Sequence, residues 1–480
     1  MPPWNVKALI FDLDGVLLKS AECHRQAFQE VFEPLGIHDF DYIPYTGWRT
    51  VEVIEDVLRR RGLSTAAGTV AALAREKSRR ARLKLDEAQP LDPFYGPALA
   101  ILGASYPLAL ASSGSRASVD AFLKLSGARS FFRSILSGDD VSAAKPDPEI
   151  YRRSARQLEI DPADCLVVED AAAGVQAARA ANATAIGIEG TTPREALQAA
   201  GAAAVLPNLS ALVEQFPRAR VDPARWTAIV PAAGRGSRLG FHRPKVLYPV
   251  GGRLILDWLL DSLAPNCSTL VFVVSPDGAP EVASELERRV PGRFEIVIQD
   301  IPTGMGDAVG LGLKAVRTPY AAVVWGDQVA VRRESVETCL ALHQGPLQPD
   351  ITCPTVLRAQ PYIHFERDPQ GNLLRVLQAR EGDPMPDIGE SDTGFFCFRA
   401  APLGELLEEA RSRNLSTGSR TAEFNLLPVI PWAARREGRR VLTPRHMGVP
   451  ETVGINSAAD RAAVEGCMGA VQSSAGRSEG

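Results

Sequence analysis

The chain has 480 residues, 45% of them hydrophobic and 23% charged, with a formal net charge of −4. That much apolar material excludes disorder over most of the length, and the near balance of charge offers no basic surface to nucleic acid or an anionic membrane. At roughly 150 residues per domain, the length predicts about three units. Seven cysteines are scattered without a C-x-x-C pair, which reads as reduced thiols rather than a disulfide frame or a zinc site. No apolar run approaches the ~18 residues of a membrane span, and the opening MPPWNVKALIFDLDG lacks the features of a secretory leader. The expectation is a soluble, cytoplasmic protein with small-molecule substrates and with neither nucleic acid nor membrane as partner. Its oligomeric state stays open.

In chain order, short apolar runs at 7–11, 106–111, 165–168, 183–188, 227–230, 270–274, 294–298 and 321–325 alternate with helix-length segments. This pattern predicts βαβ units around parallel sheets. Residues 18–92 read as charged helices only, at 51–61 and 70–88, an insert between the first strand and the rest of its domain. Residues 207–225 read as a short helix and then a linker with prolines at 217 and 223. The predicted fold class is α/β, with two doubly wound, mostly parallel-sheet domains. One spans 1–215 with a cap at about 18–92, a linker covers 216–225, the second spans 226–468, and 469–480 is a flexible tail.

In the first half, polar groups follow apolar strands. Asp12 and Asp14 stand in Asp12-Leu13-Asp14-Gly15, Ser112 and Ser113 follow the second run, Lys145 lies in Ala-Ala-Lys-Pro-Asp-Pro, and Glu169 and Asp170 end another run. Ligands of open α/β sheets bind beyond the carboxyl ends of the strands, so these groups would converge on one edge. They would supply carboxylates for a divalent cation, a serine and a lysine for a phosphoryl group, and one carboxylate to attack. Taken alone, the two aspartates also fit a solvated strand end.

The set D-x-D-G, strand-end Ser, K-P and E-D resembles the haloacid dehalogenase-like superfamily. The helical insert is similar to its small-cap subfamily, which contains sugar-phosphate phosphatases and beta-phosphoglucomutase. The resemblance implies that Asp12 is the nucleophile forming an aspartyl-phosphate and that Asp14 is the general acid/base. It implies that Ser112, with Ser113 beside it, and Lys145 bind the phosphoryl group. Mg²⁺ would be held by Asp12, the Asp14 backbone carbonyl and Asp170, supported by Glu169. His24 and Arg49 would face the substrate, although His24 also fits a polar residue on a helix surface. The segment Thr46-Gly47-Trp48-Arg49 departs from the mutase in having no lysine before its glycine. Hydrolysis is the commoner activity in that superfamily and is expected here, with phosphomutase activity as the alternative.

In the second half, a strand runs into Pro231-Ala-Ala233-Gly234-Arg235-Gly236-Ser237-Arg238-Leu239-Gly240. Glycines let backbone N–H groups approach a phosphate. The loop lacks the G-K-[ST] ending of a P-loop, and Leu239 replaces the third glycine of a dinucleotide fingerprint. Arg243-Pro244-Lys245 follows, then Gln299, Thr303-Gly304, Gly326-Asp327, Asp392-Thr393-Gly394, Ala422-Glu423 and Asn456. Together these resemble sugar-phosphate nucleotidyltransferases, above all the uridylyltransferase domain of bacterial N-acetylglucosamine-1-phosphate uridylyltransferase. The resemblance implies that Ala233, Gly234, Gly236 and Arg238 cradle the triphosphate and that Lys245 bridges nucleotide and acceptor. Asp327 and Asn456 would hold Mg²⁺, Gln299 and Gly304 would face the base, and Gly394 and Glu423 would lie near the acceptor sugar. Asn456 also fits a helix N-cap, and Asp327 a turn aspartate. Asp392 and Gln378 depart from the relative's asparagine and glutamate, so the acceptor is expected not to be N-acetylglucosamine 1-phosphate. No acetyltransferase domain is expected after residue 465.

The combined expectation is a bifunctional enzyme. One half would remove a phosphate from a phosphorylated sugar or cyclitol, and the other would join an NTP to a sugar 1-phosphate with release of pyrophosphate. A non-catalytic regulator built on the same two folds and an NAD-linked oxidoreductase are the alternatives.

Overall fold

The computed structural model describes residues 4–234 and 236–475. The chain divides into two compact units, one of Met1–Arg218 with Asp368–Asn372, the other of Ala219–Arg367 with Leu373–Gly480. Each has its own sheet.

In the first unit, strands β1 (Ala8–Phe11), β2 (Leu108–Ala111), β3 (Phe132–Leu136), β4 (Cys165–Glu169), β5 (Thr184–Ile188) and β6 (Ala204–Leu206) form a six-stranded sheet ordered β3-β2-β1-β4-β5-β6. Every pairing is parallel. Burial on both faces explains why β1, β2 and β4 read as unbroken apolar runs. Between β1 and β2 lie helices α1 (Ala21–Phe32), α2 (Thr50–Arg60) and α3 (Ala67–Ala88). They close on their own core of Phe28, Phe32, Phe40, Tyr45, Ile54 and Leu58, so the insert is a small helical body.

The second unit has a seven-stranded sheet built from β7 (Trp226–Pro231), then, past a short hairpin of β8 (Pro249–Val250) and β9 (Arg253–Leu254), from β10 (Thr269–Val274), β11 (Phe294–Ile298), β12 (Tyr320–Val324) and β13 (Ile351–Thr352). Further on, β14 (Thr355–Ala359) pairs with β17 (Ile388–Asp392), and β15 (Ile363–Arg367) pairs with β16 (Leu373–Gln378). Strands β18 (Phe395–Arg399) and β19 (Val441–Leu442) complete the order β11-β10-β7-β12-β18-β13-β19. β18 runs antiparallel to both neighbours, inside an otherwise parallel sheet.

The two small sheets after residue 350 were not anticipated, because half-exposed residues break the strand pattern there. The last helix, Ala458–Ala475, continues past the predicted start of the tail at 469. Residues 476–480 of that tail, and Arg235 of the glycine-rich loop, lie outside the described residues. Six cysteines are free and buried, and no helix among the described residues is long and apolar enough to cross a membrane.

Candidate active sites

In the first unit, Asp12 and Asp14 leave β1 at the carboxyl edge of the sheet, next to the ends of β2 and β4. Lys145 Nζ lies 2.5 Å from Asp12 Oδ1 and 2.7 Å from Glu169 Oε1, and it donates to the carbonyl of Ala111 at 3.3 Å. Tyr151 OH donates to the same Glu169 oxygen at 2.5 Å, while the other oxygen accepts the N–H groups of Asp170 and Ala171, each at 3.1 Å. Ser112 ends β2 fully buried, and its Oγ accepts the Gly114 N–H at 2.9 Å. Ser113 is half-buried beside it.

Ligand atoms of Asp12, Glu169 and Asp170 all lie within 4.8 Å of one another. Burial, then repulsion from Glu169 and Asp14, lifts the Asp170 carboxyl to about 8. Burial opposes the charge on Lys145 as well, but Asp12 and Glu169 outweigh it and hold the ammonium well above its usual range. Three buried carboxylates, two of them on one ammonium, form a donor set that suits a divalent cation. Gly15 makes room for them: a Cβ there, at φ +83°, would fall 1.8 Å from Asp170 Oδ2.

Asp14 has partners of its own. Its Oδ1 accepts Ser20 Oγ at 2.5 Å and lies 3.0 Å from His24 Nε2. Burial works against its charge, yet His24, Ser20 and Lys77 pull the carboxyl down to about 2. His24 is buried on the inner side of α1 rather than on the surface. Its Nδ1 lies 2.8 Å from Nζ of Lys77, a buried α3 lysine 4.3 Å from the Phe28 ring centre. Lys77 was missed in the sequence. Its signal was a lysine inside the apolar stripe Val70, Ala74, Ala81, Leu85 on α3. Arg49 stands elsewhere than expected: its guanidinium is tied to the carbonyls of Val141 at 2.7 Å and Ser142 at 3.3 Å, linking the cap to the loop before Lys145.

In the second unit, a cleft of about 820 Å³ is lined by Ala233, Gly234, Arg238, Lys245, Gln299, Gly304, Asp327, Gly394, Glu423 and Asn456. Ten of the eleven predicted residues of this half therefore meet in one place. Gly236 is the exception. It is buried, its N–H donates to the Arg243 carbonyl at 3.4 Å, and a Cβ there would lie 2.9 Å from Phe241. It serves loop packing, whereas Gly234 opens onto free space.

Lys245 Nζ lies 2.7 Å from Asp327 Oδ2 and 2.9 Å from Asn456 Oδ1, and Asn456 Nδ2 lies 3.3 Å from the same Asp327 oxygen. Asn456 is free for this because Ser457 caps the last helix, its Oγ accepting the Asp460 N–H at 3.2 Å. Gly304, at φ +126°, begins helix Met305–Leu313, and Glu423 pairs with Arg380 at 2.7 Å. Asp392 is lifted to about 6 by burial, against the Gly394 N–H 3.0 Å away and Arg358. Gln378 ends β16 buried and does not reach the cleft wall.

Comparison with known proteins matches each of the two units separately. Residues 6–182 match the model of haloacid dehalogenase-like hydrolases, and residues 228–386 match that of the MobA-like NTP transferase domain. The fructose-1-phosphate phosphatase YqaB of Escherichia coli is 33% identical over 38% of this chain and 95% of its own. Protein CbbY of Rhodobacter capsulatus is 34% identical over 37% and 82%. The bifunctional protein GlmU of Lactobacillus delbrueckii is 29% identical over 48% of each, so the chain spans about half the length of that relative.

Proposed function

The chain belongs to the haloacid dehalogenase-like hydrolases through its first unit and carries a MobA-like NTP transferase domain in its second, and from that premise we propose that it is a bifunctional enzyme, a sugar-phosphate phosphohydrolase joined to a nucleotidyltransferase. The carrying observation in the first unit is the division of labour between its two aspartates. Asp12 lies against Lys145 and the acidic set, whereas Asp14 is held 3.0 Å from His24. Asp12 attacks the phosphorus, and Lys145 and Ser112 hold the phosphoryl oxygens. Asp14, ionised before substrate binds, takes the proton that a phosphate monoester brings, passes it to the leaving oxygen and then takes one from water. Asp12, Glu169 and Asp170 would hold Mg²⁺, which neutralises phosphoryl charge when bound. Hydrolysis is preferred to phosphate relocation because a phosphatase is matched over 95% of its own length at 33% identity.

In the second unit, the shared contact of Lys245 with Asp327 and Asn456 supports nucleotidyl transfer. No covalent intermediate is needed, only alignment of an acceptor phosphate with the α-phosphorus and neutralisation of charge. Gly234 and Arg238 lie on the triphosphate side, Gln299 and Gly304 on the base side, and Glu423 on the acceptor side. Asp327 and Asn456 would hold the second Mg²⁺. The protein is incubated with each of the four NTPs, Mg²⁺ and a panel of sugar 1-phosphates, and separately with fructose 1-phosphate and sugar bisphosphates. Pyrophosphate release in the first assay and phosphate release in the second are expected. Silence in either one removes the corresponding half of the proposal.

A further inference from the structure

The far wall of the second unit's cleft comes from the two small sheets, and its charges are unevenly paired. Arg380 is matched by Glu423 at 2.7 Å and Glu381 at 3.8 Å. Arg358, on β14, has no salt bridge among the described residues. Its NH1 reaches Thr452 Oγ1 at 3.4 Å, and its Nε is buried without a partner. A guanidinium stays charged at any physiological pH, and leaving such a donor buried and unmade costs roughly 1–3 kcal/mol. Next along the wall, Gln328 is 5% exposed and its Oε1 also lacks a partner. A Cβ on Gly394 would fall 2.4 Å from Gln328 Nε2, so the backbone packs against the amide nitrogen and the orphan is the oxygen, a pure acceptor.

The phosphate that takes part in transfer already has cations. Lys245 sits at the Asp327–Asn456 pair, and Arg238 lies on the loop side. Arg358 stands on a different element, opposite Gly389 of β17, and lines the cleft together with Ser391 and Asp392. We infer that the acceptor carries a second anionic group, a carboxylate or a further phosphate, held by Arg358, together with a hydroxyl that donates to Gln328. A planar guanidinium suits either anion because both accept two parallel N–H bonds. Arg358 and Gln328 are thus specificity-determining residues for the transferase reading on which this inference rests.

The test uses the full chain with Mg²⁺ and three acceptors: glucose 1-phosphate, glucuronic acid 1-phosphate and glucose 1,6-bisphosphate. NTP binding is measured by calorimetry and pyrophosphate release by a coupled assay. At least one doubly anionic acceptor should exceed glucose 1-phosphate by tenfold or more in kcat/KM. Arg358→Met should cut that ratio at least tenfold through KM, and Arg358→Lys should restore part of it. NTP binding by both variants verifies that the unit is folded. An unchanged ratio in Arg358→Met, or equal use of all three acceptors, overturns the inference alone. Failure of the unaltered chain to bind any NTP overturns the transferase reading, and this inference with it.

Discussion

Asp12 and Glu169 share one ammonium: Lys145 Nζ lies 2.5 Å from the first and 2.7 Å from the second, at 5% exposure. Two buried carboxylates so close to each other repel, and the lysine is the fixed charge that keeps both in place. Removing one partner of a buried charge set costs roughly 3–5 kcal/mol. Lys145→Met should lower the melting temperature most in chelator and less with Mg²⁺ present, because a divalent cation restores part of the lost charge. Phosphate release should fall about 10²–10³-fold, the usual loss for one charge-stabilising group, and Asp12→Asn should abolish it. A destabilisation by Lys145→Met that Mg²⁺ leaves untouched would contradict a shared cation site.

Lys77 gives the cap a pH signature. Burial pushes its ammonium down from 10.5 to about 8, with Asp14 opposing. Between pH 8 and 10.5 the unfolded chain holds this proton and the folded chain does not, so stability rises with pH across that window. Below it the folded state is penalised by roughly 3 kcal/mol. Lys77→Met should therefore be more stable than the unaltered chain at pH 7 and should lose that rise, as read by denaturant melts at several pH values. Phosphatase activity should drop, since His24 loses its contact at 2.8 Å and with it the support for Asp14. A variant less stable at pH 7 would show that contacts, not charge, dominate at this position.

Much of both sites was legible because the chemistry falls where β1, β2, β4, β7 and β12 end. An unbroken apolar run followed by Asp, Ser or Glu announces such an edge. Only eight of the 53 basic residues are lysines, and Lys145, Lys245 and Lys77 all stand in the sites. The first two were found through local motifs. Lys77 was not, because its partner is 53 residues away and only the folding of α3 onto α1 brings them together. Gly236 was misread for a related reason: spacing cannot distinguish a glycine that cradles a ligand from one that admits Phe241. Arg358 gave no signal at all, since it lies on a half-exposed strand with no motif around it.

Gly304 is fixed by its neighbours more than by its loop. Phe424 donates its N–H to the Thr303 carbonyl and accepts from the Gly306 N–H, both at 2.9 Å. A Cβ at Gly304 would fall 2.4 Å from Phe424 O, at a φ that disfavours any side chain. Gly304→Ala should thus cost roughly 1–3 kcal/mol and lower the melting temperature of the second unit by several degrees. KM for NTP should rise, while phosphate release by the first unit stays as it was. Equal loss in both activities would mean that the damage spreads beyond this clamp.

Lys245 and a metal ion compete for the same oxygen. The ammonium sits 2.7 Å from Asp327 Oδ2, one of the two groups that would hold Mg²⁺ in this unit. Without NTP, Lys245 neutralises Asp327. When a nucleotide brings phosphate oxygens, the ammonium can move to them and release the carboxylate to the cation. The contact would therefore weaken cation binding at Asp327 until substrate arrives. Lys245→Ala frees Asp327 in the absence of NTP, so binding of Mn²⁺ to the nucleotide-free protein, followed by electron paramagnetic resonance, should tighten. At the same time pyrophosphate release should fall by about 10²-fold or more, since no other lysine among the described residues lines the cleft. Asp327→Asn should lose both metal binding at this site and turnover. Weaker Mn²⁺ binding in Lys245→Ala would show that the lysine organises the site rather than guarding it.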